Sequence, residues 1–549
     1  MKTSIRRMAR CACGAAALAA LTACGGGDST ETGPVTPAMY TVGGRVTGLT
    51  GSGLVLQASG VNLPVSASGA FTFGKPLLTG TGYVVDVETQ PINPAQFCTV
   101  ANASGFIRAA NVANVLVNCA AVYTVGGTVS GLVGSGLVVQ LHSNDIVDGP
   151  EYDGSPLQIN ADGAFTLGGV FPATPDPPEV VVVKQQPSSP TQRCMVENGQ
   201  VNIQSANDTS VVVGCSEFSY VTNAADNTVS AYRVDATTGA LVAVGTPTAT
   251  GKSPYAVVGT QARQFVYVSD AGGNDVSAFT VNLETGALTA VSGSPFAAGT
   301  DPRGLALLES RRSYLYVANS GSDTLSAFAI DATTGALIPL SPATYATGHG
   351  PSSVALDTAG LFLYVANNGG SNDISAFAID GFTGELIPVA GSPFAAGANP
   401  LGLAFGASGQ FLYTANPGGA NPSISGFAID LFNGTLSPLS GSPFPATVTN
   451  YIAADRTGSY LYVTTGAGVV GYGIDAKTGL LTSLPGFPVF SGANAYSVTS
   501  DPTNQFLYVA NNGSANVSGF RFDAATGGLI PITGSPFTTG NVPDFVATF

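Results

Sequence analysis

The C-terminal part of the chain repeats one pattern seven times, and this repeat constrains the fold more than any other feature. One copy, Tyr316 to Leu340, reads YVANSGSDTLSAFAIDATTGALIPL. The copies are spaced by 46 to 49 residues and begin at Tyr220, Tyr267, Tyr316, Tyr364, Tyr413, Tyr462 and Tyr508. A period of this length is typical of solenoids, propellers and other repeat arrays.

Each copy carries the sequence signals of four β-strands. Ser313 to Ala318 and Thr324 to Ile330 alternate large apolar with small or polar residues, which indicates strands with two different faces. Asp331 to Gly335 predicts a tight hairpin turn, and Leu337 to Leu340 a short outer strand. Gly304 to Leu308 predicts an inner strand before the copy. Four strands per period make one propeller blade.

The two ends of the repeat region predict a closed ring of seven blades. The first copy begins at Phe218 without a preceding inner strand, whereas Val542 to Phe549 reads as an inner strand without a blade. We expect this last strand to complete the first blade, which would leave no free sheet edge. Small residues on the inner strands suit a narrow axial channel; they include Gly304, Ala306, Ser353, Ala355, Gly402, Ala404, Ala453 and Ala547.

The composition supports an all-β protein and excludes two classes of partner. Gly 71, Pro 35 and only 9% charged residues fit many strands and turns. The net charge of −15 argues against nucleic acid and anionic lipid surfaces, because both require a basic patch.

Residues 1–24 are predicted to be a targeting segment. A basic start and the apolar run Cys11 to Leu21 lead to Leu21-Thr22-Ala23-Cys24. This tetrapeptide resembles the lipobox of bacterial lipoproteins, which implies acylation of Cys24 by two or three chains, enough for stable membrane attachment. Gly25 resembles lipoproteins sorted to the outer membrane, so we expect a lipid-anchored protein of the cell envelope. Ordinary secretion, with Cys24 as a free thiol, is the alternative.

Two shorter repeats precede the propeller. After a flexible tether at 25–39, closely similar segments begin at Tyr40 and Tyr123 and define modules at 40–120 and 121–216. Alternating apolar strands and Gly, Asn or Pro turns predict small β-sandwiches of the Ig-like kind. The fold class is therefore all-β, with two sandwich modules before a seven-bladed propeller at 217–549.

Each module contains one cysteine pair with the same spacing. Cys98 and Cys119, like Cys194 and Cys215, are 21 positions apart. Equal spacing in an exported chain predicts one disulfide within each module.

Three charged or titratable side chains precede or follow aligned prolines in consecutive blades. Lys252, Arg303 and His349 should therefore face one channel mouth. They would form a site for an anion or carbonyl group, with His349 as an acid or base near neutral pH. Three unrelated, solvated side chains are the alternative interpretation.

Asparagines end the second strand of most blades and offer a further candidate binding ring, represented by Asn319 and Asn367. The alternative is a turn residue that satisfies its own backbone.

The sequence predicts neither a metal nor a cofactor. Four acidic residues gather in one loop of the second module but lack the spacing of a calcium loop; they are Asp145, Asp148, Glu151 and Asp153. No zinc signature, phosphate-cradling loop or serine nucleophile elbow is present in the sequence.

The repeated Y-V-[AT]-N followed by S-A-F-x-I-D-x-x-T-G-x-L resembles the YVTN repeats of lactonase-type seven-bladed propellers, such as 6-phosphogluconolactonase and its muconate-cycloisomerase-like relatives. The resemblance covers Glu217 to Phe549. Pro302-Arg303 matches part of a G-P-R-H segment of this group, with Gly304 where the histidine would stand. The resemblance implies a lactonase. For this function we hypothesise that Arg303 polarises the lactone carbonyl and His349 steers water.

Three functions are compatible with these features. The first is an anchored envelope lipoprotein whose propeller is an interaction platform for a protein or glycan. The second is a lactonase acting on a sugar or muconate-type lactone. The third is a structural protein similar to those of surface layers.

Overall fold

A computed structural model describes residues 38–142, 154–167, 171–172, 179–201, 207–309, 312–406, 409–446, 450–466 and 468–549. The chain divides into two compact units, one ending at Ala120 and one running from Ala121 to Phe549. Across the described residues, we find no helix with the length and apolar character of a membrane span.

The first unit contains a two-sheet sandwich. One sheet has the order β8-β10-β2-β5, with β2 parallel to β10, and the other has the order β4-β3-β7-β9. Val46, Leu56 and Val117 come from both sheets into one fully buried core. The strands are β1 Met39–Tyr40, β2 Val42–Thr47, β3 Leu54–Ala58, β4 Val61–Val65, β5 Gly69–Thr72, β6 Leu77–Leu78, β7 Gly82–Thr89, β8 Gln96–Ala101, β9 Ser104–Phe106 and β10 Val112–Tyr123.

The second module repeats this arrangement. Its sheets have the orders β17-β19-β11-β14 and β13-β12-β16-β18, and β11 is parallel to β19. The predicted disulfides Cys98–Cys119 and Cys194–Cys215 are both confirmed. The Ig-like relationship stays a prediction. The strands are β11 Val125–Ser130, β12 Leu137–His142, β13 Leu157–Ile159, β14 Gly163–Thr166, β15 Phe171–Pro172, β16 Glu179–Gln185, β17 Met195–Glu197, β18 Gln200–Val201 and β19 Asp208–Gly214.

The propeller is closed by the last strand of the chain, as predicted. Within the described residues it consists of seven sheets, each with four strand positions named A to D from the axis outward. Pro543–Thr548 is the A strand of blade 1 and pairs antiparallel with Glu217–Asn223, where Tyr220 faces Ala547. Each A strand contacts the A strand of the next blade, and the one of blade 7 contacts Pro543–Thr548. The ring therefore has no exposed inner edge.

The A, B and C strands follow one another along the chain in blades 2 to 7, whereas blade 1 takes its A strand from the C-terminus. They are Pro543–Thr548, Glu217–Asn223 and Thr228–Val234 in blade 1; Pro254–Gly259, Phe265–Asp270 and Asp275–Val281 in blade 2; Pro302–Glu309, Ser313–Asn319 and Thr324–Ile330 in blade 3; Pro351–Leu356, Phe362–Asn367 and Asp373–Ile379 in blade 4; Gly402–Gly406, Phe411–Asn416 and Ser423–Ile429 in blade 5; Ile452–Ala454, Tyr460–Thr465 and Gly468–Ile474 in blade 6; Ala495–Ser500, Phe506–Asn511 and Asn516–Phe522 in blade 7.

The D strands are mostly interrupted. They are Leu241–Ala243 with Thr248–Ala249, Leu288–Ala290 with Phe296–Ala297, the continuous Leu337–Ala346, Leu386–Pro388 with Phe394–Ala395, Leu436–Pro438 with Phe444–Pro445, Leu481–Ser483 with Val489–Phe490, and Leu529–Pro531 with Phe537–Thr538.

The tyrosine that opens each repeat joins its blade to the next one. Tyr316 is fully buried, and its hydroxyl donates to the carbonyl oxygen of Gly384 in the C–D turn of the following blade at 2.9 Å. Gly384 has a φ of +73°, and a Cβ there would meet the ring of Tyr314. The same bond recurs in all seven described blades: Tyr220 to Gly286, Tyr267 to Gly335, Tyr316 to Gly384, Tyr364 to Gly434, Tyr413 to Gly479, Tyr462 to Gly527 and Tyr508 to Gly239. A buried hydroxyl needs a partner, so this contact explains both the tyrosine and the glycine of the repeat.

Candidate active site at the channel mouth

The A strands all begin at one end of the channel, which we call the channel mouth. Aromatic residues near these starts fill the channel there. The ring of Phe545 lies 4.8 Å from that of Tyr451, 5.1 Å from that of Tyr255 and 6.3 Å from that of Tyr496, measured between centroids. These rings come from blades 1, 2, 6 and 7, and they form a floor beneath the mouth.

Arg303 stands beside this floor and is held in one orientation. Its Nη2 and Nε lie 3.0 and 3.1 Å from Oδ2 of Asp301, and its guanidinium carbon lies 5.4 Å from the ring centroid of Tyr255. A guanidinium over an aromatic face gains a cation–π contact in addition to the ion pair. Since the side chain is 33% exposed, part of the group can meet a ligand.

Hydroxyl groups line the same floor. The hydroxyls of Tyr255 and Tyr496 are 2.8 Å apart, and that of Tyr451 is 3.1 Å from Oγ of Ser353. Burial raises the pKa of Tyr255 and raises that of Tyr451 to about 12. These phenols are therefore protonated at neutral pH and can donate hydrogen bonds.

Asp544 supplies a carboxyl group that interacts electrostatically with Arg303. It is half-buried, and its Oδ1 accepts from Nδ2 of Asn512 at 2.6 Å. Burial raises the pKa of Asp544 to about 6, while the hydrogen bond from Asn512 and the charge of Arg303 act in the opposite direction. A carboxyl group with a pKa near the working pH is suited to general acid or base chemistry.

In the predicted cluster of Lys252, Arg303 and His349, the arginine and the histidine are bound by different partners. The His349 ring is 74% exposed, and its Nδ1 lies 2.8 Å from Oδ2 of Asp323. Lys252 is exposed in the turn before blade 2. Of the three, Arg303 contacts the floor of the channel mouth, and the roles assigned to Lys252 and His349 stay predictions.

The asparagines at the ends of the B strands are fully buried and organise the B–C hairpins. Nδ2 of Asn319 donates to Thr324 and Ser326, and its Oδ1 accepts from the backbone of Gly299. Nδ2 of Asn367 donates to Asp373 at 2.6 Å and to Ser375 at 2.9 Å. These bonds give both residues a structural role, and their role in ligand binding remains a prediction.

Blade 2 carries Asp270 at the position of these asparagines. Its Oδ2 accepts from the amide and the hydroxyl of Ser277. Burial raises the pKa of Asp270, and the neighbouring carboxyl of Asp275 raises it further. Asp270 and Asp275 occupy the same paired positions in blade 2 as Asn367 and Asp373 in blade 4, so a carboxyl group replaces the amide.

Two other predictions concern groups that the structure does not describe. The acylated Cys24 and the acidic residues Asp145, Asp148, Glu151 and Asp153 lie outside the described residues. Within the described ranges, no three His, Cys, Asp or Glu side chains come close enough together to hold a metal ion.

The sequence interpretation missed the aromatic floor and Asp544. These residues come one or two at a time from the starts of different A strands, so no local motif marks the group. The sequence signal that could have found them is their alignment: Tyr255, Arg303 and Asp544 each directly follow a proline that opens an A strand.

Comparison with known proteins supports the fold and the family. Residues 210–344, 299–393 and 337–450 match the profile of the family described as lactonase, 7-bladed beta-propeller. No curated protein sequence matches the chain significantly.

Several solved structures resemble 61% of this chain. A candidate 6-phosphogluconolactonase from Bacteroides uniformis is 19% identical, with a TM-score of 0.53 over 61% of this chain and 99% of its own. A second, from Bacteroides fragilis, is 20% identical, with a TM-score of 0.52 over 61% and 98%. The periplasmic gluconolactonase of Pseudomonas aeruginosa is 19% identical, with a TM-score of 0.51 over 61% and 98%. At this identity the structures show the fold alone. The seven closed blades and the profile match together assign the C-terminal propeller of this chain to the lactonase-type seven-bladed β-propeller family.

Proposed function

We propose that the propeller is a lactonase that opens a lactone ring at the channel mouth. The observation that carries the proposal is a fixed guanidinium, Arg303, electrostatically coupled to the half-buried carboxyl of Asp544. The family match supports the reaction class. The interaction platform and the structural protein considered from the sequence would require neither group.

The arrangement can supply the two elements that lactone hydrolysis needs. Arg303 would donate hydrogen bonds to the lactone carbonyl and stabilise the negative charge that develops on its oxygen. Ionised Asp544 would take a proton from water as the water oxygen bonds to the carbonyl carbon. The ring C–O bond then breaks, and Asp544 returns the proton to the leaving oxygen. The product is the open hydroxy acid.

The floor suits a hydroxylated substrate. The phenol groups of Tyr255 and Tyr496 can bond to sugar hydroxyls, and their rings can pack against the apolar face of a sugar ring. A sugar lactone is therefore the first substrate to test. A muconate-type lactone is the second, since Arg303 could also bind its free carboxylate.

The test is hydrolysis of glucono-δ-lactone and muconolactone by the purified chain, followed by acid release in a pH-stat. We expect Arg303→Ala to lower kcat/KM about 100-fold, as for the loss of an oxyanion donor. Arg303→Lys keeps the charge but not the two-point contact with Asp301, so we expect partial recovery. Arg521→Ala, which removes an exposed arginine of blade 7, is the matched control and should leave the rate unchanged.

The base is tested by pH dependence. We expect kcat/KM to rise as pH passes about 6 and Asp544 ionises. Asp544→Asn should abolish this rise and lower the rate about 100-fold. If His349→Ala removes the rise and Asp544→Asn does not, His349 is the base. Inactivity of the wild-type chain toward both lactones would overturn the proposal.

We also propose that the protein is anchored in the cell envelope through lipid on Cys24, supported by the lipobox-like tetrapeptide. Metabolic labelling with palmitate should mark the wild-type chain, whereas Cys24→Ser should remain unlabelled.

A further inference from the structure

The opposite end of the axial channel holds a cavity that the proposed reaction does not use. We call this the far end; it is where the A strands finish. The cavity has a volume of about 500 Å³ and is lined by residues of blades 1, 2, 3, 6 and 7 together with Arg193 of the second sandwich module. A cavity where two modules meet is a preferred place for ligand binding.

The second module is fixed over this end of the propeller by polar contacts. Nε2 of Gln505 donates to the carbonyl oxygen of Thr191 at 3.1 Å, two residues before Arg193. Nη1 of the fully buried Arg263 donates to the carbonyl oxygen of Ser216, where the module joins the propeller. Because these bonds lie on both sides of the disulfide Cys194–Cys215, Arg193 is held at the cavity rather than in solvent.

Two arginines from different parts of the fold meet at this cavity. Nε and Nη2 of Arg456 donate to the carbonyl oxygens of Asp501 and Ser500 at 3.3 and 3.2 Å, which fixes its guanidinium on the wall. Arg456 as a residue is exposed, yet desolvation lowers the pKa of its guanidinium, which indicates that the charged end is enclosed. Asp501 raises the pKa of Arg456, and Arg193 lowers it. The two cations therefore lie close enough to repel each other.

Three acidic groups lie near these arginines, and burial raises the pKa of each of them, Glu217, Glu309 and Asp501. Burial raises the pKa of Glu217 to about 7, so at neutral pH a large fraction of this carboxyl is uncharged. The carboxylate of Asp501 already accepts hydrogen bonds from its own turn, including the amides of Gln505 and Phe506. An anionic ligand between Arg193 and Arg456 would remove their repulsion.

The rest of the lining favours a ligand that also carries hydroxyl groups. Glu309 lies on the wall opposite Arg456 in the ring, and its Oε2 accepts from the amide of Gln261 at 2.7 Å. Carboxylate oxygens accept from hydroxyls, and Thr499 adds a hydroxyl to the lining. Phe549 supplies an apolar wall, and Gly259 makes room for its ring, because a Cβ there would overlap it.

We propose that this cavity is a second ligand site that binds a small hydroxylated carboxylate between Arg193 and Arg456. The carboxylate would bond to the two guanidiniums, and the hydroxyls to Glu309 and Thr499. The product of the proposed reaction belongs to this chemical class, but the inference rests on the far end alone and does not require that the propeller be a lactonase.

The test is calorimetric titration of the full chain with sodium D-gluconate, with D-glucose and acetate as probes that lack either the charge or the hydroxyls. We expect gluconate to bind and the other two to bind at least tenfold more weakly. Arg193→Ala should weaken gluconate binding tenfold or more, and Arg193→Lys should do so less. Glu309→Gln should lower the ratio of the affinity for gluconate to the affinity for acetate.

Two comparisons separate this site from the channel mouth. Arg303→Ala should retain gluconate binding, and Arg193→Ala should retain lactone hydrolysis and an unchanged melting temperature. The proposal is wrong if wild-type chain does not bind gluconate, if Arg193→Ala binds it as tightly as wild type, or if Arg303→Ala alone abolishes binding. Absence of lactone hydrolysis with intact, Arg193-dependent binding would overturn the proposed function and leave this site standing.

Discussion

The two ends of the axial channel are built on the same seven strands but hold charge in different ways. At the channel mouth, Arg303 is paired with Asp301 and stacked on Tyr255, above a channel filled by aromatic rings. At the far end, a cavity remains, and Arg193 reaches it from another module. The start and the finish of an A strand carry independent side chains, so one scaffold can present a shaped reaction site and a separate binding site.

Removal of the closing strand should have the largest effect, because it affects both ends at once. Deleting Pro543–Phe549 removes the A strand of blade 1, Asp544 and Phe545 from the mouth, and Phe549 from the cavity. We expect the loss to exceed the roughly 5 to 15 kcal/mol that stabilises a typical domain. Circular dichroism should then show no cooperative unfolding of the propeller.

Phe549→Ala is the matched control for this deletion. It keeps the strand but removes the ring stacked on Tyr220, whose centroid is 5.2 Å away. We expect about 2 kcal/mol of destabilisation, less than for a fully buried phenylalanine, and a retained cooperative transition. If the deletion destabilises the protein no more than Phe549→Ala does, the stability of the propeller does not depend on closure by its last strand.

Removal of the second disulfide should affect the far end selectively. Cys194 follows Arg193 directly, and the bond closes a loop with a sequence separation of 21. Replacing Cys194 and Cys215 by serine should destabilise the module by roughly 3 kcal/mol and weaken gluconate binding. Lactone hydrolysis should not change.

The first module provides the control for this experiment. Replacing Cys98 and Cys119 by serine breaks a disulfide of the same sequence separation. We expect a similar loss of stability, by denaturant titration, with both gluconate binding and hydrolysis retained. A fall in hydrolysis after removal of Cys194–Cys215 alone would show that the two ends are coupled.

The Asp270–Asp275 pair, in the B–C hairpin of blade 2 on the side of the mouth, should make stability depend on pH. Burial raises the pKa of Asp270 in the folded chain, whereas an unfolded aspartate titrates near 3.9. Its contribution is therefore fully present below about pH 4 and is lost as pH rises through the folded pKa. Asp270→Asn mimics the neutral form and reproduces the amide–carboxylate pair of blade 4. We expect a gain of about 1 kcal/mol at pH 8 and none at pH 4, measured by urea unfolding.

Asp331→Asn is the control of opposite sign. Hydrogen bonds from the amide and hydroxyl of Thr334 lower the pKa of Asp331. Its contribution is therefore present above the unfolded pKa and lost as pH falls, so this substitution should destabilise at pH 8. An Asp270→Asn variant that loses stability at pH 8 would contradict the raised pKa of Asp270.

A similarly small effect is expected from Tyr255→Phe. This substitution removes the 2.8 Å contact with the hydroxyl of Tyr496 but keeps the ring beneath Arg303. We expect about 1 kcal/mol of destabilisation and a raised KM for a sugar lactone. Gluconate binding at the far end should be unchanged. Combination with Tyr496→Phe in a double-mutant cycle measures the contact itself.

The blades, their closure and the disulfides could be predicted because each follows from a repeated motif or from a mismatch between the two ends of the repeat region. A tyrosine and a glycine recur in each repeat, and Cys98 and Cys194 have partners at equal spacing. The sites could not be predicted as fully, because they combine single residues from distant blades. Nothing near Arg193 in the sequence points to Arg456, since their meeting depends on how the second module docks.

The prediction for His349 was limited in the same way, because the sequence does not reveal contacts between blades. His349 lies in the turn that leads into blade 4, but the direction of its side chain depends on which partners lie within reach. Asp323 of blade 3 holds its ring at 2.8 Å, with most of the ring in solvent. The sequence around His349 does not show that Asp323 of the preceding blade will bind its ring.

The tyrosine-to-glycine hydrogen bonds all point in the same direction around the propeller. Every tyrosine donates to the blade that follows, and Tyr508 donates to Gly239 of the first blade, so all seven junctions share this bond. We therefore expect circularly permuted propellers, opened between any two blades, to form the same seven tyrosine-to-glycine hydrogen bonds. They would differ mainly in the position of their termini.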